Sequence, residues 1–478
     1  MDDILKYYLA NTLATPPVMA GRLMNPITHM HYPERQVYAR LQKYADDFFA
    51  KGAEPRFISL TGLRGVGKTT LLWQMANHIS NRYGQSVYFF NVNTLKNLNI
   101  SLFTALEAFQ QHIIQQRFNA LTTPIVLLFD EVQDDEKWAQ TLKILYDEAR
   151  TAFILCTGSS ALLLNSTADL SRRMYLQRVF PYSFSELLTV QNAMQPALNL
   201  SVPDRQLSEQ LKAIIFYSED AHSCHQQLID IQGKVQPIIH DWQSQLPDLP
   251  ERYINYLNFP NLLFYDDLDA VYQTILDLLK RIIYEDIPML KPAYSDLGTI
   301  EKLMLRLAGS DEVNPERLAG IIGMKQQAIH ELMDLLVKAE LMHVLLPFGG
   351  LDSRINKHKK AFFMSPSLRR ALLYTLYGQT LPEQFRSKLL EDIVMMYLKK
   401  TLTESIISFT GGSAAANPDF VIETRERPLV LEVGTHKTSI AQARAIPARY
   451  GLLVSGGSDT PLLKENTVQI PFNWFLLL

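Results

Sequence analysis

The chain has 478 residues, with 46 basic and 49 acidic side chains and a formal net charge of −3. That length supports two or three domains whose cores need neither disulfide nor metal. The near balance of charge excludes a polycationic whole-chain surface but leaves room for a local basic face. Cys156 and Cys224 are the only cysteines, and Cys156 lies in the apolar run AFILC, a pattern that suits buried free thiols in a reducing cytoplasm.

The chain begins MDDILKYY, with acids where a secretory leader would carry basic charge, and it has no apolar run of about 20 residues. A cytoplasmic protein without a membrane partner is expected. Residues 1–50 read as an N-terminal helical segment.

Between 51 and 187 the pattern alternates. RFISL, SVYFF, PIVLLF and AFILC are strand-like runs, MYLQRVF is a candidate fifth strand, and LLWQMANHI and WAQTLKILYDEA have helical periodicity. This predicts an α/β unit, a mostly parallel sheet with helices on both faces.

Gly62, Leu63, Arg64, Gly65, Val66, Gly67, Lys68 and Thr69 spell GxxxxGKT between the first strand and the first helix, with Thr70 next. In that context the glycines let backbone N–H groups turn toward phosphate oxygens, and the helix adds its positive end. Lys68 is expected at the β- and γ-phosphates of ATP, and Thr69 on Mg²⁺.

PIVLLFDEVQ then places Asp130 at a strand end, suited to holding the hydrated Mg²⁺, and Glu131 where it can activate the attacking water. After the next strand comes Thr-Gly-Ser-Ser, 157–160, in which Ser159 is the candidate sensor of the γ-phosphate; a plain turn or helix cap is the alternative. Arg172 and Arg173 follow. Arg173 is the candidate arginine finger, acting in cis or from a neighbouring copy in a homo-oligomer, and a solvated surface pair is the alternative.

Residues 188–295 read as a helical insertion and lid-like helical region, including a long helix over 270–287, and this region is a candidate protein-binding surface. Residues 296–370 have the rhythm of a winged helix-turn-helix: TIEKLMLRLAG, VNPERLAGIIG, a turn at Gly323, KQQAIHELMDLLVKAELM, and then a hairpin. Lys325, Gln326 and Gln327 open its recognition helix, and Lys357, His358, Lys359 and Lys360 lie by the wing, so DNA is the expected partner. Residues 371–478 read as a small α/β domain, with a helix at KLLEDIVMMYLKKTL and strands at ESIISF, DFVIE, PLVLEVG and GLLVS.

Taken together, GLRGVGKTT, LLFDEVQ, LYDEA, LCTGSS and SRRMYLQRVFPYSFSEL resemble the archaeal-type (DEXX-box) P-loop ATPases of the AAA+/STAND-like group. Pro181, Ser183, Phe184 and Glu186 match that group's Pro-x-Ser-Phe-x-Glu stretch. The resemblance implies an AAA+-like sheet, a helical extension, a winged helix-turn-helix and a C-terminal restriction-endonuclease-like, PD-(D/E)xK domain. It also implies a second metal site at Glu391, Asp419 and Glu432. Gly434 stands where such nucleases carry a lysine, with Lys437 the nearest substitute, so the domain is expected to be degenerate.

Three functions follow from this reading: an ATP-hydrolysing switch or motor acting on DNA, a protein-binding signalling or chaperone-like ATPase, and an ATP-regulated DNA nuclease.

Overall fold

The structure is a computed structural model that describes residues 3–26, 28–158, 170, 172–290, 296–310, 312–350, 354, 359–410, 418–425, 427–435 and 446–478. The chain divides into two compact units, residues 1–180 and 181–478. Each has its own hydrophobic cluster.

The first unit opens with three helices, α1 (Asp3–Ala10), α2 (Pro16–Leu23) and α3 (Tyr38–Lys51). It continues through β1 (Phe57–Thr61), α4 (Lys68–Tyr83), β2 (Val87–Asn91), α5 (Val92–Asn97), α6 (Leu102–His112), β3 (Ile125–Asp130), α7 (Trp138–Glu148), β4 (Ala152–Thr157) and β5 (Tyr175–Arg178). The five strands lie in the order β2-β3-β4-β1-β5, all parallel. This is the expected sheet, with the MYLQRVF strand at one edge.

β1, β3 and β4 are buried at every residue, which is why they read as unbroken apolar runs rather than alternating ones. Along α4 the buried residues Leu71, Leu72, Met75, Ala76 and Ile79 recur at helical spacing. The other edge of the sheet is partly covered by the chain's own N-terminal segment. The Ala14 amide donates to the Val87 carbonyl at 2.8 Å and the Phe89 amide to the Thr12 carbonyl at 2.7 Å, antiparallel to β2.

The second unit begins with helices α8 (Phe184–Met194), α9 (Arg205–Tyr217), α10 (Ala221–Asp230), α11 (Gln232–Gln245), α12 (Leu249–Asn255) and α13 (Leu268–Arg281). The expected long helix stops at Arg281 and passes through a π-helical turn, Ile282–Asp286, into α14 (Ile287–Leu290). Pro288 accounts for this, because it lacks an amide and its ring crowds the carbonyl one turn back, so the helix widens ahead of it.

Next come α15 (Leu297–Ala308), β6 (Glu312–Val313), α16 (Pro315–Ile322), α17 (Gln326–Lys338), β7 (Met342–Leu345) and β8 (Lys359–Phe363). The three strands form an antiparallel sheet ordered β6-β8-β7, and the expected turn at Gly323 falls between α16 and α17.

The chain ends with α18 (Pro366–Tyr377), α19 (Arg386–Thr401), β9 (Ile406–Ser408), β10 (Phe420–Glu423), β11 (Leu429–Gly434), β12 (Gly451–Ser455), β13 (Leu462–Lys464), β14 (Thr467–Pro471) and α20 (Phe472–Phe475). Its mixed sheet is ordered β13-β14-β12-β11-β10-β9. One core joins α8–α12 to this sheet, including Phe184, Trp242, Tyr253, Tyr397, Tyr450 and Trp474. Among the described residues no helix is long and apolar enough to cross a membrane.

Candidate functional site

The first unit's site is built where β1 turns into α4. Leu63 and Val66 are buried in the core, whereas Arg64 is partly exposed and Gly65 exposed, which leaves the loop backbone available between them. Three glycines are dictated by geometry, Gly65 with φ 81° among them. A Cβ on Gly62 would overlap the Val179 carbonyl oxygen, and Gly67 starts α4 with φ 91° and ψ 24°, in the left-handed region.

Lys68 is 6% exposed, and its Nζ donates to the carbonyls of Gly62 at 2.8 Å and Leu63 at 3.1 Å. A phosphate oxygen is a stronger acceptor for an ammonium group than a carbonyl, so the lysine is held folded beside the place it would serve. Thr69 and Thr70 complete the first turn of α4.

β3 lies two strands away from β1, with β4 between them, and brings Asp130 to the same end of the sheet. The Thr69 hydroxyl donates to Asp130 at 3.0 Å to each carboxylate oxygen, and the Thr157 hydroxyl donates to Asp130 Oδ1 at 2.6 Å. Burial and the neighbouring Glu131 carboxylate push the Asp130 carboxyl up to about 6, against the pull of the Thr157 and Thr69 hydrogen bonds and the Lys68 charge. Two hydroxyls and a carboxylate thus converge beside the loop, a hard oxygen donor set of the kind that suits Mg²⁺.

Glu131 has φ 56°, a left-handed backbone unusual for a residue with a side chain. Its amide donates to Thr157 Oγ1 at 2.9 Å, which helps to hold that conformation. Its carboxylate accepts a hydrogen bond from Gln133 Nε2.

Thr157, at the end of β4, therefore ties both strand-end acids together. The Thr-Gly-Ser-Ser stretch was the sequence signal, but the candidate chosen from it, Ser159, lies outside the described residues. Arg172 is exposed, and Arg173 Nε donates to Asp147 Oδ1 on α7 at 2.7 Å, so this arginine is engaged within its own chain. Sequence reasoning passed over Arg35, which hydrogen-bonds the loop from the N-terminal segment.

The second unit does not assemble the expected metal centre at Glu391, Asp419 and Glu432. Among the described residues no group of three or more His, Cys, Asp or Glu side chains is placed to hold a metal ion. The reason is local electrostatics: Lys388 Nζ stands 3.5 Å from Glu391, and Lys360 Nζ stands 3.8 Å from Asp419, whose other oxygen accepts the Val433 amide at 2.9 Å. Ammonium groups already neutralise two of the three acids and would repel a cation.

Gly434 ends β11, while Lys437, Lys357 and His358 lie outside the described residues. Lys360 turns inward toward Asp419 and the Phe409 ring, but Lys325, Gln326 and Gln327 are exposed at the start of α17.

Residues 54–188 match the family model of an AAA domain, and residues 250–376 match a domain of unknown function (DUF8612). A protein of Methanocaldococcus jannaschii described as uncharacterized protein MJ1637 is 28% identical, over 99% of this chain and 94% of the relative.

Partial likenesses among solved structures include the Thermotoga maritima RuvB Holliday junction branch migration motor, with 14% identity, 65% of this chain, 89% of that chain and a TM-score of 0.27. The Aeropyrum pernix Orc1 protein in complex with DNA is 12% identical, covers 78% of this chain and 98% of its own, and has a TM-score of 0.31. AMPPCP-bound DnaA from Aquifex aeolicus has 14% identity, 70% and 92% coverage, and a TM-score of 0.26.

Proposed function

We propose, from the premise that residues 54–188 form a P-loop domain of AAA+ type, that this chain is a Mg²⁺-dependent ATPase working as a nucleotide-driven switch or motor on DNA. One observation carries the reading: Thr69 and Thr157 both donate to Asp130, at 3.0 and 2.6 Å, directly beside a lysine-bearing glycine loop. A merely structural glycine turn has no need of a buried carboxylate held between two hydroxyls from neighbouring elements.

Bound at this site, ATP and its Mg²⁺ supply the phosphoryl group and most of the charge that balances it. The residues of the chain do the rest. The loop amides from Gly62 to Thr70 receive phosphate oxygens, and Lys68 leaves its two carbonyl acceptors for the β- and γ-phosphates. Thr69 and Asp130 would hold the metal. Glu131 takes the proton of the attacking water once Gln133 releases its carboxylate. Thr157 keeps the two strand-end acids in register, and Ser159 follows it as the γ-phosphate sensor. Arg173 reaches a phosphate, in its own chain or a neighbour's, only by leaving Asp147.

Toward DNA, the order α15, β6, α16, α17, β7, β8 is that of a winged helix, with α17 as its recognition helix and the exposed Lys325, Gln326 and Gln327 at its leading end. The terminal sheet would then be a nuclease-like fold that recognises rather than cuts, since Gly434 stands where such nucleases carry a lysine.

Steady-state ATP turnover with and without duplex DNA tests this. Lys68→Ala should lose at least about a hundredfold of turnover, because the transferring phosphate loses its main cationic partner. Glu131→Gln should bind ATP normally but turn over at least about a hundredfold more slowly. Near-normal turnover in Lys68→Ala would refute the site. Turnover indifferent to DNA, together with a stable protein complex, would instead favour a protein-binding ATPase acting through α8–α12.

A further inference from the structure

Arg35 lies between α2 and α3 in the stretch Tyr-Pro-Glu-Arg-Gln, far in sequence from the glycine loop. It is 7% exposed. One terminal nitrogen donates to the Val66 carbonyl at 2.6 Å, and the other to the Phe180 carbonyl at 2.8 Å. A guanidinium group can serve two carbonyls at once because its donors are fixed in a planar fork, which a single-centred ammonium cannot match.

The consequence follows from the geometry of one peptide bond. In a trans peptide the carbonyl and the amide point to opposite sides. Holding the Val66 carbonyl toward Arg35 therefore turns the Gly67 N–H away from Arg35. Gly67 has φ 91°, a conformation open to glycine whether the loop is well or badly oriented, so the residue itself does not choose. Arg35 supplies the choice.

The second carbonyl makes the brace effective. Phe180 follows Val179, whose amide donates to the Thr61 carbonyl at 2.7 Å and whose own carbonyl closes over Gly62. Arg35 thus spans from the middle of the loop to the chain leaving β5, which flanks the loop's first glycine. The segment that carries Arg35 is anchored separately: Gln74 Nε2 on α4 donates to the carbonyls of Tyr32 and Pro33, both at 3.2 Å.

We propose that Arg35 is the positioning residue of the phosphate loop, fixing the Val66–Gly67 peptide so that the Gly67 N–H faces the incoming phosphate. The inference rests on the nucleotide reading of this site and adds a residue to it. Arg35 touches neither substrate nor metal; it acts through the loop. Losing it costs ground-state and transition-state binding alike, so KM rises while kcat is nearly kept.

The test compares Arg35→Lys, Arg35→Ala and Gln74→Ala by hydrogen exchange of the peptide covering the loop, by binding of a fluorescent ATP analogue, and by the KM and kcat of ATP turnover. Arg35→Lys is expected to speed loop exchange without nucleotide and to raise KM about tenfold, with kcat within about threefold. In Arg35→Ala, millimolar methylguanidinium should restore KM toward the parent value, a rescue that a lost packing residue would not show. Gln74→Ala should leave loop exchange and KM within about twofold of the parent, because it frees the segment without touching the loop.

Unchanged loop exchange and KM in both Arg35 variants overturns the proposal. So does an equal rise in Gln74→Ala, which would assign the effect to docking of the segment. Failure of the parent to bind the nucleotide analogue would sink the nucleotide reading itself, a result separable from the other two because loop exchange is read without nucleotide.

Discussion

At the scale of single residues the chemistry turns on Asp130, a carboxyl poised near 6 because it is buried beside Glu131. In the proposed site protons would compete with Mg²⁺ for it, so apparent Mg²⁺ affinity should be full well above pH 6 and fall as the pH drops below it. One unit under the midpoint, at pH 5, the loss is about tenfold relative to pH 7, measurable from the Mg²⁺ dependence of ATP-analogue binding. Thr157→Val removes a hydrogen bond that favours the ionised form and should move the fall to higher pH, whereas Asp130→Asn should bind weakly with no such dependence. The sign for stability is opposite to that of an ordinary salt-bridged acid. The folded state holds this proton more tightly than the unfolded one, so the contribution of Asp130 to stability without nucleotide declines as pH rises through the window from about 4 to 6. The glycine loop, Lys68 and Asp130 were legible because their spacing along the chain encodes their meeting. Thr157 was half-legible, its stretch recognised and the neighbouring serine preferred. Arg35 was not legible, since its contact spans 31 residues and depends on how the N-terminal segment crosses the loop.

At the scale of elements, helix starts can be tested one at a time. α8 begins with a capping box in which Ser183 accepts the Glu186 amide and the Glu186 carboxylate accepts the Ser183 amide; both residues are buried, and Lys400 Nζ is 3.0 Å from the same carboxylate. Ser183→Ala should cost about 1 kcal/mol, or somewhat more given the burial, read as a lower denaturant midpoint with unchanged slope. Three of the parallel strands of the first unit, β1, β3 and β4, were readable as elements because full burial leaves an uninterrupted apolar run. The last two strands were not. β14 is buried throughout yet carries Thr467 and Gln469, and the Gln469 amide nitrogen donates to the Ser455 hydroxyl at 2.9 Å; polar side chains buried inside the sheet disguise the strand. The separation of α10 from α11 was hidden for a different reason, since the apolar spacing runs on through the break at Ile231.

At the scale of the whole molecule, the residues expected as separate helical, winged and terminal regions lie in one compact unit, and a buried ion pair shows what joins the winged and terminal regions. Arg369 and Asp392 have fully buried side chains 2.6 Å apart; Arg369 also donates to the carbonyls of Leu307 and Ala308, and Asp392 accepts the Phe363 amide. Four elements, α15, β8, α18 and α19, meet at this pair. Arg369→Met strands a buried carboxylate and should destabilise the second unit by about 3–5 kcal/mol, while ATP-analogue binding in the first unit stays intact; equal loss of both would show that the units do not melt independently. Such a long-range junction leaves no periodic mark in a sequence. The first unit carries a quieter consequence at its border. With Thr12 and Ala14 seated on the ladder of β2, a foreign strand seeking to lengthen the sheet on that flank would first have to evict the chain's own beginning. On the opposite edge strand, β5, the side chains of Tyr175 and Leu176 are partly exposed.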